Sequence, residues 1–298
     1  FPCGSVTGAP KAAAMAAIAN LEPWPRGIYC GAVGLIRPGG HATFSVGIRS
    51  LWLDRHRGEA ECGIGSGITL DSTAAGEYAE WQVKRRFLWR ASAGFQILET
   101  LRLEQGRLQR LEGHCQRMQA SAEYFGFPLD REWLTQVLND LATRHACGTW
   151  RIRLLLDRHG HCRGEAHPFS PSSAEVSVVL ADSPVAEDDE FLRHKTTRRQ
   201  IYAAHTPPPG AFDTLLWNRH GHLTEFTRGN LLVELEGRLL TPPLSDGLLP
   251  GVLRGELLAR GEIAEASLPR SILAGRPRLW FINSLRGRLP ARLVTADS

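Results

Sequence analysis

Lys195 opens the string Lys195-Thr-Thr-Arg-Arg-Gln-Ile-Tyr202, among apolar and hydroxyl neighbours. A lysine in such surroundings is suited to forming a Schiff base with an aldehyde and then shuttling a proton. Taken alone, a lysine is most often a solvated surface residue, so the reading depends on its company. That company is the run Leu223-Thr-Glu225-Phe-Thr-Arg-Gly-Asn230, then Leu249-Pro-Gly251-Val252-Leu253-Arg, and upstream Leu111-Glu-Gly-His-Cys-Gln-Arg117. Gly251, Val252 and Leu253 stand at an expected helix start, where free N–H groups and the helix dipole favour a dianion. Arg117 flanks the apolar stripe of its own helix, placed to turn its guanidinium inward onto such an anion in a bidentate grip. Arg153 and Arg286 are candidates for holding the carboxylates of a substrate.

A second set of polar residues lies near the start of the chain. Glu77, Glu80 and Lys84 recur at i, i+3 and i+7 on one helix face, with Tyr78, Trp81 and Leu88 on another. Two carboxylates one turn apart can share a magnesium ion; a solvated helix face is the plainer alternative. Arg49 is placed to pair with a substrate carboxylate, and the amides from Gly65 to Gly67 to cradle one.

The elements that must position these groups follow from periodicity and turn chemistry. An Ala-rich helix enters behind Pro10 and covers 11–21. Extended stretches follow at Ile28–Ile36 and Ala42–Leu53 around Pro38-Gly39-Gly40. Asp71-Ser72 is a plausible start for a helix over 73–90. Beyond Gly94 the texture changes. Phe95, Ile97, Leu101 and Leu103 share a strand face, and Gln105-Gly106 turns the chain. Leu108, Leu111, Cys115, Met118, Ala122 and Phe125 then form an amphipathic stripe. A helix is expected over 130–145, strands at Trp150–Leu156 and Glu175–Leu180, and a link between two lobes near the acidic run Glu187–Glu190. Hairpins at Leu215–Trp217/Leu223–Phe226 and Leu231–Leu235/Arg238–Leu240, a helix after Pro250-Gly251 and a strand at Arg278–Asn283 complete an α+β or α/β chain.

Composition bounds the class. With 298 residues, 43% hydrophobic and 22% charged, the chain can bury a real core in about two domains. The net charge of +4 comes from scattered arginines without a basic run, which argues against nucleic acid. None of the six cysteines forms a C-x-x-C pair or a zinc-like cluster, so reduced thiols in a cytoplasmic protein are expected. No apolar run approaches a membrane span. The opening at Phe1, directly on a Gly/Pro/Thr motif, reads as a segment of a longer polypeptide.

The ordered set of four motifs from residue 111 onward resembles the fold-type IV pyridoxal-phosphate enzymes, which include aminodeoxychorismate lyases and branched-chain and D-amino-acid aminotransferases. The resemblance spans about 200 residues, 94–185 as a first lobe and 190–298 as a second. It implies a two-lobed fold, pyridoxal 5'-phosphate as cofactor, Lys195 as Schiff-base lysine and Glu225 as partner of the pyridinium nitrogen. It further implies Arg117, Gly251–Leu253 and Ser284 around the phosphate, Tyr202 and Asn230 lining the site, and a homodimer. Lys-Thr-Thr-x-Arg-x-x-Tyr is more similar to the lyase branch.

Residues 1–88 resemble the C-terminal end of the chorismate-utilising enzymes, on Gly4-Ser-Val-Thr-Gly-Ala-Pro-Lys11, Leu21-Glu-Pro, Arg26–Gly34, Ile48-Arg49, Gly63–Gly67 and Asp71-Ser72 with Glu77-Tyr-Ala-Glu80, and 1–90 is read as a partial domain. That resemblance implies Glu22 as a third magnesium carboxylate beside Glu77 and Glu80, and a glutamine amidotransferase partner for the parent protein. The segment carrying the family's ammonia-accepting lysine is absent, and Ala13 and Ala17 replace the usual Arg and Glu. This part is therefore expected to be openly packed and unable to make aminodeoxychorismate alone. The combined expectation is a lyase that converts 4-amino-4-deoxychorismate to 4-aminobenzoate and pyruvate, from a synthase–lyase fusion. An amino-acid aminotransferase is the alternative within the cofactor class, and an inactive fragment acting as an interaction module the alternative outside it.

Overall fold

The computed structural model describes residues 1–85, 87–88, 94–171 and 174–294. The chain divides into two compact units, Phe1–Gly94 and Phe95–Ser298.

In the first unit a short helix α1 (Gly4–Thr7) precedes α2 (Lys11–Leu21), entered behind Pro10 as expected. Two antiparallel hairpins follow, β1 (Ala32–Ile36) with β2 (Ala42–Val46) and β3 (Trp52–Asp54) with β4 (Glu59–Glu61). The long strand expected over 42–53 is broken. Gly47 leaves the ladder to exchange hydrogen bonds with Cys30 and Gly31, and Arg49 turns the chain at φ 52°. Helix α3 (Ala74–Lys84) is capped by Thr73, whose Oγ1 accepts from the Gly76 amide at 3.2 Å, not by Asp71 or Ser72. The helix stops at Lys84, short of the expected residue 90; Arg86, Trp89 and Arg90 lie outside the described residues. Among the described residues of this unit Cys30 is the one hydrophobic side chain that is fully buried, while Trp24, Leu35, Ile36, Phe44, Trp52 and Leu53 are exposed. That is the open packing expected of so few strands.

The second unit begins with an antiparallel sheet ordered β6-β5-β7-β8, built from β5 (Ile97–Glu104), β6 (Arg107–Leu108), β7 (Thr149–Leu156) and β8 (Cys162–Pro168). Helices α4 (Leu111–Phe125) and α5 (Arg131–Arg144) pack against it. Asp130 starts α5 by accepting the Glu132 and Trp133 amides at 2.9 and 3.1 Å. Ile97, Leu101, Leu103, Met118, Leu138, Ile152 and Leu154 fill the space between, each contributing about 1.5–3 kcal/mol by leaving water. The buried face of α4 is rotated from the expected stripe. Met118 and Ala122 are buried as expected, but Leu111 stays exposed, and His114 and Ser121 take its place inward. The cause is polar pairing: His114 meets Glu99 and Ser121 meets His194.

The larger sheet has nine strands, ordered β14-β13-β12-β16-β17-β9-β10-β11-β15, with β11 also pairing to β12. Its ring members are β9 (Val176–Leu180), β10 (Asp213–Trp217), β11 (His222–Phe226), β12 (Gly229–Leu235), β16 (Arg278–Asn283) and β17 (Gly287–Leu293). The β11–β12 pairing closes these six into a barrel around Val178, Leu215, Phe226, Leu231, Val233 and Phe281. Strands β13 (Arg238–Thr241), β14 (Ala264–Glu265) and β15 (Leu268–Pro269) extend it. Both expected hairpins are present, turning at Gly221 and Gly237. Strand β17, after the expected last strand, is an addition that Pro290 disguised. The division between sheets falls between Pro168 and Val176, not near residue 187, because β9 pairs parallel with both β10 and β17. The acidic run instead starts a short helix α6 (Glu190–Arg193), Asp189 accepting the Phe191 amide at 2.8 Å. Helix α7 (Gln200–Ala203) precedes the barrel strands, and α8 (Val252–Ala259) packs on β16. Among the described residues no helix is long and apolar enough to cross a membrane.

Candidate active site

Lys195 follows α6 on a segment tied to the start of β5. The Leu98 amide donates to the Lys195 carbonyl and the Thr197 amide to the Gln96 carbonyl, both at 2.9 Å. This fixes the backbone and leaves the side chain to enter a cavity of about 350 Å³ between the two sheets. Burial, with the charge of Arg117 nearby, pushes the Lys195 amine down to about 8. A substantial fraction is then neutral, and therefore nucleophilic and basic, near neutral pH.

Glu225 enters the same cavity from the barrel, directly across the ladder from Asn230. Its Oε1 accepts from the Tyr202 hydroxyl at 2.8 Å and its Oε2 from Asn230 Nδ2 at 3.2 Å. Burial raises its carboxyl to about 8; the Tyr202 hydroxyl, the Leu249 amide, Lys195 and Arg199 restrain the rise. Tyr202 is held well above its ordinary range by burial and by Glu225, so it stays a phenol and donates.

At the start of α8, Gly251 and Val252 line the cavity, and no side chain caps the helix. A Cβ on Gly251 would stand 1.8 Å from Asn230 Oδ1, so only glycine lets the backbone approach here. Leu253 departs from the expectation: its side chain packs with Leu232, Ile263 and Ile282, leaving only its backbone to serve an anion. Ser284, buried at the end of β16, also lines the cavity.

Arg117 reaches the cavity, but its fork is already used. Nε and Nη2 donate to the two oxygens of Glu99 at 2.8 and 2.7 Å, and Nη1 to the Pro250 carbonyl at 2.9 Å. The expected bidentate grip is thus on Glu99, and the remaining N–H groups are what a bound anion would meet. Burial alone would raise Glu99; Arg117 and His114 instead hold it down at about 2. His114 Nδ1 donates to Glu99 Oε2 at 2.7 Å, while its buried Nε2, on the cavity wall, has no partner among the described residues. Burial lowers the basicity of this imidazole despite Glu99.

Glu99 and His114 were missed from sequence. Their signals were an acid at the same strand parity as Ile97, Leu101 and Leu103, and a histidine three residues ahead of Arg117. Arg151 and Arg199 were missed as well, while Arg153 and Arg286, both anticipated, are brought to the cavity.

The residues expected to act together in the first unit are not gathered. Glu22 is taken by Arg26, at 2.6 and 2.8 Å; Glu77 accepts from Ser66 and Ser72; Glu80 pairs with Lys84 at 2.6 Å. Among the described residues no cluster of three His, Cys, Asp or Glu side chains suits a metal, so the three carboxylates expected to share magnesium are not gathered in this structure. The reason is that each carboxylate finds a closer partner. A cavity of about 370 Å³ on this unit takes in Glu22 but not Arg49, Gly65, Gly67, Glu77 or Glu80. Arg49 is exposed, and the Gly65 carbonyl accepts from Lys84 at 3.0 Å.

Against known proteins, residues 1–90 match the chorismate binding enzyme family and residues 96–294 match amino-transferase class IV. The first segment is 42% identical over 88 residues to anthranilate synthase component 1 of Saccharolobus solfataricus, covering 30% of this chain and 20% of that protein. It is 44% identical over 82 residues to aminodeoxychorismate synthase component 1 of Klebsiella aerogenes, covering 27% and 17%. The chain thus spans about a fifth of the length of these curated relatives. A Schizosaccharomyces pombe protein provisionally named an aminodeoxychorismate lyase is 29% identical over 195 residues, covering 62% of this chain and 84% of its own. Among solved structures, a protein of Mesorhizobium loti provisionally named an amino-acid aminotransferase is 36% identical, with a TM-score of 0.63, covering 67% of this chain and all of its own. The 4-amino-4-deoxychorismate lyase of Pseudomonas aeruginosa shares the fold at 22% identity and a TM-score of 0.56, covering 66% and 82%. A lysine and a carboxylate that face one cavity, beside a helix start that only glycine could open, thus sit inside the matched segment: the chain belongs to the class IV aminotransferase family.

Proposed function

We propose that the second unit is a pyridoxal-phosphate-dependent lyase that converts 4-amino-4-deoxychorismate to 4-aminobenzoate and pyruvate. The observation that carries this reading is Lys195, lowered to about 8 in one cavity with the carboxyl of Glu225. The residues fit the cofactor. Lys195 suits its aldehyde, and Glu225, backed by Tyr202 and Asn230, suits its ring nitrogen. The open helix start at Gly251 and Val252, with Ser284 and the spare N–H groups of Arg117, suits its phosphate. When bound, pyridoxal phosphate supplies a sink for the electron pair left as a C–H bond beside the substrate amine breaks.

The protein then has to orient and deprotonate. Lys195 Nζ accepts the proton from the amine-bearing ring carbon. The ring C–O bond breaks, its electron pair leaving on the enolpyruvyl oxygen, and a proton delivered to that fragment completes pyruvate. Aromatisation of the carbocycle supplies much of the driving force. The Tyr202 hydroxyl and the Asn230 amide keep the Glu225 carboxyl aimed throughout.

The lyase relative of Schizosaccharomyces pombe supports this reading. The Mesorhizobium loti relative favours a second one, an amino-acid aminotransferase. Incubation with pyridoxal phosphate and 4-amino-4-deoxychorismate, followed by 4-aminobenzoate fluorescence with Lys195→Ala alongside, separates them. Product from the wild type alone supports the lyase. A reducible lysine-bound cofactor without product, but with conversion to the amine form by an amino acid, supports the aminotransferase. The family resemblance also supports a homodimer in the cytoplasm, and for the longer parent a glutamine amidotransferase partner; a sizing column checks the dimer.

A further inference from the structure

Six arginines line the cavity, and Glu225 is its one lining acid. Three of the six are neutralised from behind: Arg117 by Glu99, Arg153 by Glu165 at 3.0 Å, and Arg228 by Asp213 at 3.1 Å. Arg199 covers the Tyr202 ring at 4.4 Å and donates to the Thr227 carbonyl, beside Glu225. Arg151, on β7, and Arg286, in the turn after β16, remain without a carboxylate partner among the described residues.

These two come from different sheets, yet they are close enough that the charges of Arg228 and Arg151 add to burial in lowering the basicity of Arg286. Holding like charges together costs free energy unless an anion joins them. The Arg286 guanidinium is also held in place. It lies over the Phe169 and Phe212 rings, 5.3 Å from each centroid, and Arg228 covers Phe212 at 5.0 Å. Cation–π contacts of this kind fix the plane of the guanidinium while leaving its N–H edge free to pair with a planar carboxylate.

We propose that Arg151 and Arg286 form a carboxylate-binding site that selects substrates carrying a second carboxylate. The proposal rests on the lyase reading for the identity of the substrate, whose ring and enolpyruvyl groups each bear a carboxylate. It assigns the selection to Arg151 and Arg286, not to Arg153, whose charge Glu165 already satisfies. Amines with one carboxylate leave the pair uncompensated and bind less tightly.

The test uses the full chain loaded with pyridoxal phosphate and two stable probes, 3-(carboxymethoxy)benzoate and 3-methoxybenzoate. Binding is followed by the visible absorbance of the cofactor, which reports on this cavity alone. A charge-assisted pair of this kind gives the dicarboxylate about a tenfold or greater preference in the wild type. In Arg151→Gln/Arg286→Gln the ratio of the two affinities falls to about twofold or less, and Arg286→Lys, which keeps the charge but not the fork, lies between. An unchanged cofactor spectrum in each variant shows that the cavity is intact. A wild type without preference, or a double variant that keeps it, overturns the proposal. If the preference and its loss are seen while no 4-aminobenzoate forms, the reaction assignment fails and the carboxylate site stands.

Discussion

Two ionisable groups in this cavity are displaced toward the same region of the pH scale from opposite ends. Lys195 comes down from 10.5 to about 8 and Glu225 goes up from 4.5 to about 8. Capture of an aldehyde requires the neutral amine, so the rate at which the apoprotein takes up pyridoxal phosphate should rise with pH to a midpoint near 8. An ordinary lysine would keep rising toward 10.5; stopped-flow absorbance distinguishes the two. Stability follows the sign of each shift. Glu225 binds its proton more tightly in the folded state, so its contribution is complete below 4.5 and lost as pH rises through about 8. Glu99 has the opposite sign: its contribution is present above 4.5 and lost as pH falls toward about 2. Urea melts of the apoprotein should therefore show Glu225→Gln losing less stability than the wild type between pH 5 and 8. Glu99→Ala should cost about 3–5 kcal/mol at neutral pH, because it leaves the buried Arg117 charge unpaired.

The elements that matter most are β5, the β11–β12 hairpin and the start of α8. Strand β5 has two roles by parity. Ile97, Leu101 and Leu103 seal the core together with Glu99, while Leu98 and Thr100 line the cavity. The hairpin sets Glu225 against Asn230, and Asn230 in turn bridges to the Leu249 carbonyl at 2.9 Å, so the carboxyl and the helix start move as one piece. Gly251→Ala tests this link. Its Cβ, 1.8 Å from Asn230 Oδ1, must displace the amide from both partners. The expected cost is about 1–3 kcal/mol of stability from overpacking. Cofactor affinity should fall about tenfold or more, read by fluorescence titration, since each tenfold is about 1.4 kcal/mol.

At the scale of the molecule, the two units contrast in how they are held. The second owns a sealed helix–sheet core and a closed barrel. The first has only Cys30 among its described hydrophobic side chains fully buried. The proposed chemistry lies wholly within the second unit. Residues 95–298 produced alone should therefore keep the kcat for 4-aminobenzoate formation within about twofold of the full chain. A cofactor-loaded but inactive fragment would assign the first unit a part in the reaction. Small domains without a core are marginal, so residues 1–94 produced alone should give the broad, weakly cooperative melt of a chain with little to bury, measured by circular dichroism.

Part of the cavity lining was legible in advance. Gly251 stood out by its place at a helix start, Lys195, Glu225, Asn230 and Ser284 followed from the family resemblance of the ordered motifs, and the fold brings all five to one cavity. The expected strands and helices of the second unit are all present, with β17 added. The hairpin turns at Gly221 and Gly237 and the helix over 131–144 were likewise set by their own residues. What the sequence could not express was pairing across distance. Only the fold turned His114 and Ser121 inward, because their partners Glu99 and His194 lie 15 and 73 residues away. Only the fold decided that Arg117 grips Glu99, and that Arg153 is spent on Glu165 while Arg286 is not. A side chain's type and neighbours follow from the chain, but the free energy of a charge depends on which opposite charge the tertiary structure places beside it and how little water remains between them.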